Sequence, residues 1–218
     1  MDITLRSGTP AYTAVPDGDV SMGLVIAPDI GGMRPLFRDL ADRLATEWSM
    51  AVCAVEPFPG QDLGREIEPR MAAVGGLDDH DHLRDLLEGA EATGHERVGV
   101  IGFCMGGMYS LKAARSDRFA RLVAFYGMVK VPDGWRSAGQ GEPLDHLAAG
   151  HPDRVLAIIG ERDTYTPPGE VAELEAAGVM VVRYPQGEHG FAHDADRPAH
   201  RAADAEDAFA RAKAWLQG

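Results

Sequence analysis

The run Val98-Gly99-Val100-Ile101-Gly102-Phe103-Cys104-Met105-Gly106-Gly107 constrains the chain more than any other stretch. An apolar, β-branched segment stops at Gly102, a reactive side chain follows two residues later, and paired glycines open a segment of helical spacing. That order reads as a buried strand, a sharp turn and a helix start. Glycines at 102 and 106 fit a corner where strand, turn and helix backbones crowd together. A cysteine held there meets the unpaired N–H groups and the positive dipole end of the helix, which favour its thiolate and can also stabilise an oxyanion. The bland alternative is a buried strand-end cysteine, because free cysteine is among the most buried residue types.

The same strand and helix signals recur on both sides of this turn. Met22–Ala27, Met50–Val55, 121–126, 154–160 and 179–184 are short apolar runs of the kind buried on both faces of a parallel sheet. Between them, Pro35 opens a helix carrying Phe37, Leu40, Leu44 and Trp48 on one side, and Asp78 and Asp79 cap another that carries Leu83, Leu86, Leu87 and Ala90. Pro167-Pro168 starts a third, and a last one is expected from near Pro198. Residues 57–76 and 127–150 show no sustained period and read as loop-rich excursions over the surface. Strands alternating with helices predict an α/β fold, a mostly parallel central sheet with helices on both faces, as one domain over residues 1–218. Ligands of such sheets bind beyond the carboxyl ends of the strands.

Three reactive residues fall at those ends. Cys104, Asp163 and His189 each follow a strand, in the order nucleophile, acid, histidine, which is the chain order of α/β-hydrolase triads. In that arrangement His189 is the base towards the thiol and Asp163 fixes the imidazole tautomer. Singly, Asp163 could be a turn residue and His189 a polar loop residue, but the agreement of order and all three positions favours a shared site. Cys53, set in the uniformly apolar second run, is expected to be core and inert. His80 and His82 lie among aspartates in the first turn of the Asp79 helix, where the dipole alone favours acidic residues, so no metal site is expected there.

Charge and composition narrow the partners. Among 218 residues, 34 acidic against 21 basic side chains give a formal net charge of −13, a poor match to nucleic acid or anionic membrane. The N-terminal residues lack the apolar core of a signal peptide, no apolar run approaches a membrane span, and two cysteines without an export signal do not suggest a disulfide. The expectation is a cytoplasmic monomer or small homo-oligomer.

Through Gly102-Phe103-Cys104-Met105-Gly106-Gly107, Gly160-Glu161-Arg162-Asp163 and Glu188-His189-Gly190-Phe191, the chain resembles the dienelactone hydrolase family of α/β-hydrolases, from Leu24 through the final helix. The resemblance implies hydrolysis of a small ester or lactone through a thioester on Cys104, of the carboxymethylenebutenolidase type or a related small-ester reaction, with no cofactor or metal. It also implies an oxyanion hole from the backbone N–H groups of Ile30 and Met105. Asp29 stands where dienelactone-cleaving members carry a glutamate that contacts the resting thiol, and His193 where they carry a substrate-binding arginine. A second such arginine would be Arg70 or Arg65. With histidine at 193, anionic lactones are expected to bind weakly at neutral pH. Two other classes of function share these residues: a thiol redox sensor built on Cys104, and a non-catalytic binding module on a hydrolase scaffold. Turnover of a simple aryl ester separates both from the enzyme.

Overall fold

The computed structural model describes residues 1–64 and 66–218. Its centre is an eight-stranded sheet in the order β1-β2-β4-β3-β5-β6-β7-β8. The apolar runs supply the middle of it: β3 (Met22–Ala27), β4 (Met50–Val55), β5 (Val98–Phe103), β6 (Phe119–Phe125), β7 (Val155–Gly160) and β8 (Met180–Tyr184) all pair in parallel. Every residue of β3, β4, β5 and β7 is buried, as a strand covered on both faces requires. β1 (Asp2–Thr4) and β2 (Pro10–Ala14) pair antiparallel and extend the β4 edge. Their runs are too short and too polar to read as strands in the sequence; pairing with β4 orders them.

Alternation along β5 decides which helix covers which face. A Cβ at Gly99 would strike Leu216 of α7 (Ala202–Gln217), whereas one at Gly102 would strike Gly106 and Ser110 of α4 (Met105–Ala113). On the α7 face, α1 (Pro35–Trp48) packs beside it, with Trp48 and Phe209 ring centroids 6.3 Å apart. On the α4 face lies α3 (Asp79–Ala92), capped by the Asp78 side chain accepting from the His80 amide. His82 is not in a polar turn, as the neighbouring aspartates suggest: it is buried, with its ring centroid 3.8 Å from that of Tyr109.

The two expected excursions contain more order than their composition shows. Residues 57–76 hold α2 (Ile67–Val74), whose Ile67, Met71 and Val74 share a helical face over only two turns, too few to register as a period. Residues 127–150 hold a 3₁₀ turn at Asp133–Trp135 and α5 (Pro143–Ala148). α6 (Pro168–Ala176) starts at Pro168 as expected, but α7 starts at Ala202 rather than near Pro198. Residues 194–201 are instead drawn into turns, with the Arg197 amide bonding the Asp194 carbonyl and the Arg201 amide the Phe191 carbonyl. Among the described residues no helix is long and apolar enough to cross a membrane.

Candidate active site

Cys104 sits between β5 and α4 at φ 55° and ψ −117°, a left-handed conformation for a residue with a Cβ. The corner closes only because Gly102 and Gly106 have no side chain. A Cβ on Gly102 would lie 2.0 Å from the Gly106 carbonyl oxygen, and one on Gly106 would lie 2.0 Å from that of Ala27. The Cys104 amide donates to the Phe125 carbonyl at the end of β6 (3.0 Å), so the neighbouring strand also fixes the turn. Cys104 is 9% exposed.

Asp163 and His189 reach the same end of the sheet from the β7 and β8 loops. Asp163 Oδ2 and His189 Nδ1 are 2.8 Å apart, and the Tyr165 amide donates to Asp163 Oδ1 at 2.8 Å, leaving the carboxylate fully enclosed. The two loops are tied by the Arg162 amide donating to the Gly187 carbonyl (2.9 Å). Burial works against a charge on His189, but Asp163 and the facing Cys104 sulfur outweigh it and hold the imidazole up at about 10. His189 therefore carries its proton at neutral pH. Cys53, by contrast, is wholly buried against α3 and burial pushes its thiol up to about 12.

The structure places the residues expected around the substrate unequally. Ile30 and Arg70 line a cavity of about 650 Å³ together with Asp29, Arg34, Ile67 and Arg197. Arg70 donates to the Gly64 carbonyl (2.8 Å) and reaches towards that of Ile30 (3.5 Å); neither Arg70 nor Arg197 has a carboxylate partner among the described residues. Arg65 lies outside the described residues. His193 does not offer itself to a ligand there: it is buried, with Nδ1 against the Tyr126 hydroxyl and Nε2 on Asp29 Oδ2 at 2.8 Å. Asp29 is likewise occupied, accepting from His193, from Arg34 (2.9 Å) and from the Gly31 amide (2.8 Å) rather than turning to the thiol. Burial opposes its charge, yet His193 and Arg34 hold the carboxyl well below the usual range. Sequence reading passed over Arg197 because the neighbouring Pro198 looked like a helix start, and over Tyr126 because it closes an ordinary apolar run. No group of three or more possible metal ligands occurs among the described residues.

The chain is similar to known proteins over most of its length. Carboxymethylenebutenolidase 2 of Cupriavidus pinatubonensis is 29% identical over 183 residues, 80% of this chain and 75% of its own. A carboxymethylenebutenolidase of Rhodococcus opacus is 28% identical over 213 residues, covering 89% and 82%. A crystal structure from Klebsiella pneumoniae subsp. pneumoniae, provisionally named a dienelactone hydrolase, superposes with a TM-score of 0.86 at 27% identity over 99% of this chain and 97% of that one. The sequence model of the dienelactone hydrolase family matches residues 9–218, and the chain belongs to that family.

Proposed function

We propose that the protein hydrolyses a small ester or lactone through an acyl-enzyme on Cys104, with His189 and Asp163 completing the triad and no cofactor. The observation that carries this is the hydrogen-bonded Asp163–His189 pair facing a strained cysteine at the start of α4. The attacking form is the thiolate, the proton residing on His189. Sulfur bonds to the carbonyl carbon, and the oxygen that gains charge is held by the amides of Ile30 and Met105; as a first-turn residue of α4, Met105 has no carbonyl to bind within its helix. Collapse breaks the ester C–O bond while His189 gives its proton to the leaving oxygen, and a thioester remains. His189, now neutral, takes a proton from water, whose hydroxyl displaces the thiolate and releases the acid. The base role read from the sequence thus belongs to the second half of the cycle, and the acid role to the first.

The guanidinium groups of Arg70 and Arg197, neither with a carboxylate partner among the described residues, suit a substrate carrying its own carboxylate or enolate, since arginine keeps its charge at every accessible pH. Dienelactone-type lactones have that chemistry, as the names of the relatives suggest. In the test, purified protein turns over an aryl ester and an anionic lactone, Cys104→Ala abolishes both reactions and iodoacetamide labelling, and Cys53→Ala leaves both intact. Wild-type rates in Cys104→Ala would rule the mechanism out.

A further inference from the structure

The loops that carry the site are joined by a second buried hydrogen-bonded chain that takes no part in the triad. Tyr126 follows β6 directly after Phe125, whose carbonyl holds the Cys104 amide. Tyr126 has φ +40°, a left-handed backbone that a bulky residue adopts only under constraint. Its amide donates to the Ile158 carbonyl (2.7 Å), and its ring stands edge-on to His189 with centroids 5.3 Å apart. Its hydroxyl meets His193 Nδ1, and His193 Nε2 meets Asp29, next to Ile30. The His193 ring is stacked on Phe103, with centroids 5.0 Å apart. Because an ionised Asp29 can only accept, Nε2 carries the hydrogen; Nδ1 of the neutral ring then accepts from the Tyr126 hydroxyl. Every polar atom of the chain is satisfied in one tautomer only.

Resting on the triad reading above, we infer that Tyr126 and His193 are positioning residues: with Asp29 they form a brace that sets the Ile30 amide and the His189 imidazole at their working distances from Cys104. The brace links the loops after β3, β6 and β8: the first holds Ile30, the last holds His189, and the end of β6 holds the Cys104 amide through the Phe125 carbonyl. A misplacement of about 1 Å in such groups costs on the order of 10²-fold in rate, so loosening the brace lowers kcat in molecules that remain folded.

The experiment compares Tyr126→Phe, His193→Leu, His193→Gln and the Tyr126→Phe/His193→Leu double variant, with Cys104→Ala as a parallel control. Each is assayed for kcat and KM on an aryl ester, and melting curves report the folded state. Glutamine carries an acceptor for the Tyr126 hydroxyl and a donor for Asp29, and leucine carries neither. His193→Leu is expected to lose about 10- to 100-fold in kcat with KM little changed, and His193→Gln to regain most of it. Tyr126→Phe should fall in between, and the double variant should be no worse than His193→Leu, because both changes cut one chain. Wild-type kcat in folded His193→Leu or Tyr126→Phe, whatever the melting temperature, would overturn the inference and leave a purely structural brace. A glutamine variant as slow as the leucine one would overturn it too, since the hydrogen bonds would not be the cause. If His193→Leu does not fold, Tyr126→Phe and His193→Gln decide alone. Turnover surviving in Cys104→Ala would instead defeat the triad reading on which the inference rests.

Discussion

At Cys104 the backbone is held in a conformation that costs a non-glycine residue on the order of 1–3 kcal/mol, and the surrounding β5–α4 packing sustains it. The chemistry this serves depends on where one proton lies. His189, with its ordinary value near 6.5 raised to about 10, contributes stability that is fully present below about pH 6.5 and is lost as pH rises through 10. The same form is the general acid for the leaving group, so kcat/KM should fall on an alkaline limb near pH 10. Asp163→Asn removes a contact that raises His189; the limb should move to lower pH and kcat should drop by about 10²- to 10⁴-fold. A limb unmoved in that variant, measured over pH 6–11, would separate Asp163 from the titration of His189. Cys53, sealed in apolar surroundings, has its thiol pushed up to about 12 by burial.

Among the elements, short pieces of structure line the cavity with arginine. α2 brings Arg70 to the cavity, and the turns before α7 bring Arg197. Arg70→Gln and Arg197→Gln should each raise KM for an anionic lactone relative to its neutral methyl ester by about 10-fold or more, as expected for loss of a charge-assisted hydrogen bond worth about 1.5–3 kcal/mol. Equal changes for both substrates would move the arginines out of the acyl site. The expectation drawn from His193 is the opposite, that anionic substrates bind weakly at neutral pH; His193 is buried against Tyr126 and Asp29, and the same comparison of substrates decides between the two. Long, fully buried elements such as β3, β4, β5 and α1 were legible residue by residue, because burial on both faces or on one stripe writes itself into composition. So were the strand-end positions of Cys104, Asp163 and His189, since each follows a readable strand. α2, α5, β1 and β2 were not: they are two turns or a few residues long, and tertiary contacts rather than local pattern order them. Tyr126 and the partners of His193 were hidden for a related reason, since hydrogen bonds across 67 and 164 residues leave no spacing to read.

For the whole molecule, a formal net charge of −13 repels anions at long range, whereas the cavity beside Ile30 carries Arg34, Arg70 and Arg197 together with Asp29 and Asp194. That distant field is screened over about 8–10 Å at physiological salt, so an anion within the cavity feels chiefly the charges that line it. Five parallel pairings bring the ends of β3, β5, β6, β7 and β8 to one edge, where Ile30, Cys104, Asp163 and His189 lie. The central claim is that the substrate's acyl group passes through the Cys104 sulfur. Rapid-quench intact-mass analysis during turnover of an activated ester tests it directly. A transient adduct equal in mass to the acyl group, mapped to Cys104 and absent from Cys104→Ala, is the predicted result; steady turnover with no acyl adduct on Cys104 at any time would contradict it.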